Sequence, residues 1–259
     1  MPRVKTGIPG LDEMLNGGFL EGDRVLVVGS AGTGKTNLGL QYLVNGATQF
    51  GENGIYLTFE ELPDQICRDA HSFGWDLRQL EKEDKFRLVC TSPDLLLGAQ
   101  QDEHLLDEPI RQVKARRIVV DSLSQLQMHL KEKEVVRKEA YRLLMGFKTK
   151  GLTSIAIWET PQLLGDSLTL TEVGLSFVVD SIVLLRLVEM ESSMRKVMAV
   201  LKMRGSDHDK RLREFEITTR GISVGQPFSG YESVMTGNAR KSFGDETTRA
   251  MAKAFSRRK

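Results

Sequence analysis

The chain has 259 residues, 40% of them hydrophobic, with 36 lysines and arginines against 35 aspartates and glutamates. This length and hydrophobic content are enough for one domain with a substantial core. The net charge of +1 provides no whole-protein field that would gather nucleic acid or an anionic membrane. The two cysteines, Cys67 and Cys90, lie far apart and near no histidine cluster, which argues against a disulfide scaffold or a zinc site.

The amino terminus and the hydropathy pattern bear on location. The first ten residues contain no apolar signal segment, and no stretch reaches the roughly 18 apolar residues of a membrane span. From these two observations we predict a protein without membrane contact and with a cytoplasmic location.

The first strong element is an apolar strand over 24–28 that runs into the glycine-rich segment 29–36 and then into a helix. The segment reads Gly-Ser-Ala-Gly-Thr-Gly-Lys-Thr, which matches the pattern GxxxxGKT. A strand, a glycine turn and a helix N-terminus in this order direct backbone N–H groups at an anion. In this pattern Lys35 reaches the β- and γ-phosphates, and the Thr36 hydroxyl ligates Mg²⁺. The segment therefore predicts a nucleotide-binding loop.

Strands and helices alternate along the following part of the chain, which predicts a parallel sheet covered on both faces. We predict strands at 54–59, 86–90, 118–120 and 152–158, and helices at 63–70, over about ten residues ending at 115, and at 133–150. The Leu- and Gln-rich stretch 94–104 is interpreted as a mobile loop.

From residue 177 the pattern changes to consecutive strands, predicted at 177–188, 196–202 and 214–218. Consecutive strands joined by short turns are typical of an antiparallel or mixed edge added to the parallel sheet. The chain then becomes polar and ends in a basic run. We therefore predict one domain over 1–230 and a weakly ordered basic tail over 231–259.

Three carboxylates follow predicted strands and are candidates for the chemistry of hydrolysis. Asp121 ends an apolar strand and can hold a Mg²⁺-bound water opposite Thr36, whereas an isolated aspartate in this place is often a helix cap. Glu60 and Glu61 follow the strand at 54–59, so one of them can orient or deprotonate the attacking water. From spacing alone, a charged first helical turn explains this glutamate pair equally well.

Several longer motifs make the chain resemble the KaiC branch of the RecA superfamily. They are Thr6-Gly7-Ile8-Pro9-Gly10-Leu11-Asp12, Asn16-Gly17-Gly18 and Gly22, Thr58-Phe59-Glu60-Glu61, Ser72-Phe73-Gly74-Trp75-Asp76, and the stretch from Leu201 to Lys210. The similarity extends from residue 5 to about 240. Whereas KaiC itself carries two such domains in tandem, this chain has one, so it resembles the single-domain KaiC-like ATPases of archaea and bacteria.

The resemblance implies a RecA-like P-loop NTPase core, with a mostly parallel sheet flanked by helices and an antiparallel C-terminal strand extension. It implies ATP and Mg²⁺ as cofactors and a homo-oligomeric ring, usually a hexamer, that binds ATP at its subunit interfaces. The phosphate-binding positions would be Gly32, Thr33, Gly34, Lys35, Thr36 and Asn37, with Thr36 and Asp121 holding the metal. Lys35, Glu60 and Glu61 would be catalytic, with Glu60 as the base, and Ser72 would lie near the nucleotide base.

The resemblance also implies that the neighbouring subunit contributes Lys202, Met203, Arg204, Ser206 and His208 to each site. Lys202 and Arg204 lie two residues apart on a predicted strand, so both point the same way. Two such cations would stabilise transition-state charge across the interface. A solvated basic strand edge is the alternative that the residues alone would favour.

Other functions remain open at this level. KaiC phosphorylates itself on adjacent Ser and Thr residues, and here Ser176 is kept while Phe177 replaces the threonine, which favours an ATPase over a Ser/Thr autokinase. A RecA- or RadA-like DNA-binding ATPase is a second alternative, for which the tail offers Arg249, Lys253, Arg257, Arg258 and Lys259. A third is a nucleotide-gated scaffold that recruits a protein partner through this tail.

Overall fold

The computed structural model describes residues 1–97, 102–160, 173–190 and 192–228, and two short strands at 231–232 and 240–241. The strands are β1 (Arg3–Val4), β2 (Phe19–Leu20), β3 (Arg24–Gly29), β4 (Gly54–Thr58), β5 (Phe86–Cys90), β6 (Arg117–Asp121), β7 (Thr153–Glu159), β8 (Ser181–Met190), β9 (Ser193–Met203), β10 (Arg213–Thr218), β11 (Gly221–Pro227), β12 (Tyr231–Glu232) and β13 (Arg240–Lys241). The helices are α1 (Leu11–Met14), α2 (Lys35–Asn45), α3 (Pro63–His71), α4 (Leu77–Lys82), α5 (Pro93–Leu97), α6 (Asp102–Val113), α7 (Gln125–His129) and α8 (Lys133–Thr149).

The central feature is a nine-stranded sheet with the order β11-β10-β9-β8-β3-β7-β6-β4-β5. The strands from β8 to β5 in this order run parallel, and β9, β10 and β11 add antiparallel strands at one edge. This arrangement confirms the predicted fold class, a mostly parallel sheet flanked by helices with an antiparallel C-terminal extension. Because β3 and β6 end at the same edge, the residues that follow them are brought close together.

The sheet is buried on both faces because its strands are apolar on both sides. Along β3, Val25 and Val27 enter one core cluster while Leu26 and Val28 enter the other, and all four are 0% exposed. Helix α2 packs into the first cluster and α8 into the second. No helix among the described residues combines the length and apolar character needed to cross a membrane.

Two predicted segments differ clearly from the observed ones, and β11 is among the observed elements that were not predicted. The stretch 94–104 was expected to be a loop, but α5 covers its beginning and α6 starts at Asp102, because Leu96 is buried against the sheet; 98–101 lie outside the described residues. The strand expected from Phe177 begins at Ser181, because Gly174 has a φ of +71° and starts a 3₁₀ turn, Leu175–Phe177. Strand β11 begins at Gly221, whose φ of +96° allows the tight turn of a hairpin with β10.

The C-terminal segment is only partly described. Strands β12 and β13 pair antiparallel with each other. The basic tail residues from Arg249 onward lie outside the described residues. The division into a domain over 1–230 and a tail over 231–259 therefore stays a prediction.

Candidate functional site

The phosphate loop connects β3 to α2 and takes the backbone form that its sequence predicts. Gly32 and Gly34 have φ values of +75° and +96°, in the region that favours glycine. At Gly34 a Cβ atom would also lie 2.5 Å from the Ile217 side chain of β10. Gly34 is the residue before the first turn of α2, so the loop opens directly onto a helix N-terminus. Backbone N–H groups of that turn are free to bind an anion.

Lys35 lies inside the loop and is buried. Its Nζ donates to the Ser30 carbonyl at 2.8 Å and lies 3.7 Å from Glu159 Oε2. Burial lowers the pKa of Lys35, and the carboxylates of Glu159 and Asp121 oppose that shift. The ammonium group is thus held in the cleft by partners that a phosphate oxygen can replace.

Thr36 and Asp121 meet across the cleft. Strands β4 and β6 pair in register with Thr58 opposite Asp121, which places the carboxylate at the open edge of the sheet. The hydroxyls of Thr36 and Tyr56 both donate to Asp121 Oδ2, at 2.6 Å and 2.5 Å. Burial raises the pKa of Asp121, and these two hydrogen bonds counteract it.

The side-chain oxygens of Thr36 and Asp121 fit the Mg²⁺ ion that the resemblance implies. Mg²⁺ takes oxygen ligands and usually combines one or two protein groups with water and substrate phosphates. Thr36 Oγ1 and Asp121 Oδ2 are two oxygens already in contact. Among the described residues no group of three or more His, Cys, Asp or Glu side chains could hold a metal by itself. A hydroxyl and a carboxylate beside a phosphate loop are the partial ligand set expected for an ion shared with a nucleotide.

The glutamate pair also reaches this cleft. The Thr58 hydroxyl accepts hydrogen bonds from the backbone N–H groups of Glu60 and Glu61, at 3.3 Å and 3.2 Å, which fixes the turn that carries both side chains. Glu60 Oε1 accepts a hydrogen bond from Gln125 Nε2. The pKa of Glu60 is raised by burial and then by the charges of Asp121 and Glu159. The pKa of Glu61 is raised mainly by burial and Asp121.

Together these groups form one cleft of about 340 Å³ at the carboxyl ends of the parallel strands. The residues lining it are Ala31, Gly32, Gly34, Lys35, Thr36, Asn37, Thr58, Glu60, Glu61, Asp121, Ser122, Glu159 and Ile217. Most of the phosphate-loop positions, both glutamates and both candidate metal ligands are therefore brought together. Thr33, which is fully buried, donates from its hydroxyl to the Ser30 carbonyl and shapes the loop from within.

Lys202 and Arg204 lie elsewhere. Lys202 is opposite Ile182, and Ile182 is opposite Leu26 near the start of β3, so both cations lie toward the end of the sheet away from the phosphate loop. Lys202 Nζ donates to the carbonyls of residues 176 and 179, at 2.6 Å and 2.7 Å. Arg204 Nη2 donates to the carbonyl of residue 177 at 3.1 Å. Both side chains contact the 176–179 turn and so lie on the same side, although Arg204 lies just beyond the end of β9 and not on the strand as predicted.

The remaining predicted binding residues are also outside the cleft of their own chain. The Met203 side chain is buried in the core, and the Ser206 hydroxyl accepts from Arg3 at 2.6 Å. His208 Nδ1 is buried and has no hydrogen-bond partner within the described part of the chain. The Ser72 hydroxyl donates to the Asp69 carbonyl at 2.7 Å, at the end of α3. Their assignment to a nucleotide site therefore stays a prediction that requires a second subunit or a bound ligand.

Besides Tyr56, which donates to Asp121, sequence reasoning missed three further side chains at or beside the cleft. Glu159 ends β7, and the rule that placed Asp121 at the carboxyl edge of the sheet could have identified it. Gln125 follows Asp121 by four residues and reaches Glu60, a contact that depends on the pairing of β4 and β6. Lys196 donates from β9 to the Gly32 carbonyl at 2.6 Å. No local signal indicates this last contact, because it joins residues far apart in sequence.

Comparison with known proteins matches nearly the whole chain to the family that its sequence motifs resemble. A family model described as "ATPase: KaiC" matches residues 4–229. The circadian clock protein KaiC3 of Synechocystis is 36% identical over 237 residues, which are 91% of this chain and 46% of the relative. The circadian clock oscillator protein KaiC of Prochlorococcus marinus is 35% identical over 230 residues, 86% of this chain and 46% of the relative.

A third relative, the circadian clock oscillator protein KaiC of Synechococcus elongatus, is 35% identical over 230 residues, which are 86% of this chain and 44% of that protein. The chain thus spans about half the length of the curated relatives it matches. The family model covers the phosphate loop, Asp121 and the glutamate pair within its matched range. The family match, the sheet order and the residues of the cleft agree with one another. The chain belongs to the KaiC ATPase family.

Proposed function

We propose that this chain is a Mg²⁺-dependent ATPase whose sites are completed by a neighbouring copy in a ring, with six subunits as the expected number. The observation that carries the proposal is the convergence of Lys35, the Thr36–Asp121 pair and Glu60 on one cleft. These are the cation, the metal ligands and the carboxylate that γ-phosphate hydrolysis requires.

In the proposed reaction, backbone N–H groups of the phosphate loop and Lys35 hold the β- and γ-phosphates. Thr36 and Asp121 would hold Mg²⁺, which would neutralise charge on the phosphates. Glu60 orients a water molecule and accepts its proton as the water oxygen bonds to the γ-phosphorus. The bond from that phosphorus to the bridging oxygen breaks, and ADP and phosphate leave.

The charges of the cleft support a site shared between subunits. Four carboxylates line it, those of Glu60, Glu61, Asp121 and Glu159. Among the described residues lining the cleft, Lys35 is the one lysine or arginine. A nucleotide triphosphate adds about four further negative charges, and Lys35, a metal ion and Lys196, whose Nζ donates to the Gly32 carbonyl, offset only part of the total. Lys202 and Arg204 of a neighbouring copy would offset more of it.

The position of these cations supports the same conclusion. Lys202 is level with Leu26, whereas the phosphate loop begins at Gly29 and continues beyond the strand. At about 3.3 Å per residue, that offset is about 10 Å before the loop itself is counted. In one chain the two cations are bound to carbonyl groups of the 176–179 turn. They can therefore act on another copy's nucleotide more readily than on their own.

The test is phosphate release by the purified chain and by its Lys35→Ala and Glu60→Gln variants. We expect Lys35→Ala to lose nucleotide binding and Glu60→Gln to keep binding but lose turnover by about 100-fold. Light scattering with and without ATP should show an increase from monomer to ring. Equal, slow phosphate release by all three proteins would contradict the assigned roles.

A Ser/Thr autokinase acting on Ser176 is the second candidate, because Lys202 Nζ contacts the Ser176 carbonyl. If Lys202 reaches a neighbour's γ-phosphate, Ser176 comes near the same group. Mass spectrometry after incubation with ATP distinguishes the two activities. Phosphate on Ser176 would favour the kinase, and released phosphate with an unmodified Ser176 would favour the ATPase.

A further inference from the structure

We infer that Gln125 is a positioning residue. It orients the carboxylate of Glu60, which in turn orients the water that attacks the γ-phosphate. The inference rests on the proposed function, because it concerns the base of that reaction. Its starting observation is the hydrogen bond from Gln125 Nε2 to Glu60 Oε1. An ionised carboxylate can only accept hydrogen bonds, so an amide N–H donor beside it stabilises one orientation.

Glu60 needs such a partner because the hydrogen bonds of its backbone do not fix the orientation of its side chain. The turn at the end of β4 is fixed by the Thr58 hydroxyl, which accepts from the N–H groups of both glutamates. Beyond that turn Glu60 is exposed, and the nearby charges of Asp121 and Glu159 repel its carboxylate. A flexible, repelled side chain spends little time in a single reactive orientation. Gln125 supplies the attractive contact that opposes this repulsion.

Gln125 can act as a fixed donor because its own backbone is held rigidly. Its N–H donates to the Ser122 carbonyl at 3.1 Å, and the N–H of Leu123 donates to the Ile157 carbonyl of β7 at 2.8 Å. Leu123 and Leu126, on either side of Gln125, are both 0% exposed in the core. The side chain of Gln125 therefore projects from a turn anchored to the sheet.

The same turn begins at Asp121, the candidate metal ligand. Phe59 N–H donates to the Asp121 carbonyl at 3.2 Å, which ties the segment carrying Glu60 to the segment carrying Gln125. Asp121 and Gln125 thus set the metal position and the base orientation from one short segment. A misplacement of about 1 Å between such groups costs about 100-fold in rate.

The helix also provides a matched control. Gln127 has the same side chain, lies two residues further along α7 and is exposed. Neither glutamine lines the cleft, and what distinguishes Gln125 is its hydrogen bond to Glu60. Gln125→Met keeps the length of the side chain and removes the N–H donor, and Gln127→Met makes the same change away from the base. Gln125→Glu replaces the donor with a second negative charge beside Glu60.

The experiment measures kcat and KM for ATP, and the nucleotide dissociation constant, in the full chain with Mg²⁺. We expect Gln125→Met to lower kcat by about tenfold with KM changed less than twofold, and Gln125→Glu to lower kcat by about 100-fold. Gln127→Met should match the wild type. An unchanged dissociation constant and unchanged thermal unfolding show that the fold and the phosphate loop are intact.

A double-mutant cycle separates positioning from a general structural effect. In a Glu60→Gln background, Gln125→Met should cause no further loss of kcat, because there is no base left to orient. Additive losses, or a Gln125→Met variant that equals Gln127→Met, would overturn the inference while leaving the ATPase assignment intact. If the wild type releases no more phosphate than Lys35→Ala, the proposed function fails, and the role of Gln125 fails with it.

Discussion

The two ends of the central sheet carry opposite kinds of charge. At the carboxyl ends of the parallel strands, four carboxylates and the buried Lys35 line an open cleft. Toward the other end, Lys202 and Arg204 donate hydrogen bonds to carbonyl groups of the 176–179 turn. They lie beside a buried ion pair between Arg24 and Asp180. At the cleft, Lys35 and the nearby Lys196 face four carboxylates, whereas at the other end Lys202 and Arg204 donate to backbone carbonyls.

Under the proposed function, this difference separates the groups that a copy supplies to its own site from those that it supplies to a neighbour. The cleft brings together the phosphate loop, the proposed metal ligands Thr36 and Asp121, and the two glutamates. At the opposite end, hydrogen bonds hold Lys202 and Arg204 in one orientation. The backbone N–H of Arg204 also donates to the Asp180 carbonyl at 3.0 Å. A ring that places one end against the other would join the two sets. The predictions below test that arrangement.

The largest expected effect comes from removing the cations. Lys202→Ala and Arg204→Ala should each lower kcat by about 1,000-fold while nucleotide still binds to the phosphate loop, because the lost charge acts mainly in the transition state. Steady-state phosphate release and a binding titration measure the two quantities. A parallel loss of nucleotide binding would place these cations in ground-state binding instead.

Mixing two inactive variants tests whether the cations act across an interface. Lys35→Ala subunits keep their cations and Arg204→Ala subunits keep their phosphate loops, so mixed assemblies contain some complete sites. We expect activity to return when the two variants are mixed before ATP is added. If Arg204 acted within its own chain, no mixture would regain activity.

A smaller effect, measured as stability, is expected from Asp180→Asn, whose native carboxylate also lies 3.8 Å from Arg204 Nη1. Asp180 accepts two hydrogen bonds of 2.9 Å from the Arg24 guanidinium, and both side chains are 9% exposed. Removing the carboxylate leaves a buried cation unpaired, which should lower the free energy of unfolding by about 3 kcal/mol. Denaturant unfolding measures this change. Asp207→Asn, at an exposed ion pair, is the control and should change stability by less than about 0.5 kcal/mol.

The same pair predicts a pH dependence of stability. Burial opposes ionisation of Asp180, but hydrogen bonds from the Arg24 side chain and backbone outweigh it and hold its pKa at about 2. Because this pKa is below that of an unfolded aspartate, the stabilisation of about 2 kcal/mol is present above about pH 4 and is lost as the pH falls toward 2. The stability difference between wild type and Asp180→Asn should shrink over that range; a constant difference would contradict the assignment.

The smallest expected effect is at Glu159. Its carboxylate lies 3.7 Å from Lys35 Nζ and faces the position proposed for the phosphates. Glu159→Gln removes one of four negative charges, so ATP should bind about threefold more tightly. Equilibrium titration with ATP measures the change, with the exposed Glu134→Gln on α8 as a charge-matched control. Weaker binding would mean that Glu159 supports Lys35 more than it repels the phosphates.

Much of the fold was predictable because its signals are local. The loop from Gly29 to Thr36 has a fixed spacing, β5 was predicted with its observed bounds, and the switch to antiparallel strands was expected from consecutive strand patterns. The start of β8 was misplaced because Phe177 and Val178 are apolar, and only the turn at Gly174 shows that they precede the strand. Hydropathy alone does not distinguish an apolar turn, in which Phe177 is exposed and Val178 is buried, from a buried strand.

The sequence by itself determined the phosphate loop, the alternation that makes a parallel sheet and the carboxylates at strand ends, since each depends on neighbours along the chain. The tertiary structure decided which of these groups meet. It paired β4 with β6, and so brought Gln125 to Glu60 and Tyr56 to Asp121. It also directed Lys202 and Arg204 away from their own phosphate loop, because antiparallel β9 returns along β8 to the opposite end of the sheet. Strand order and direction are set by packing of the whole core, which no local pattern specifies.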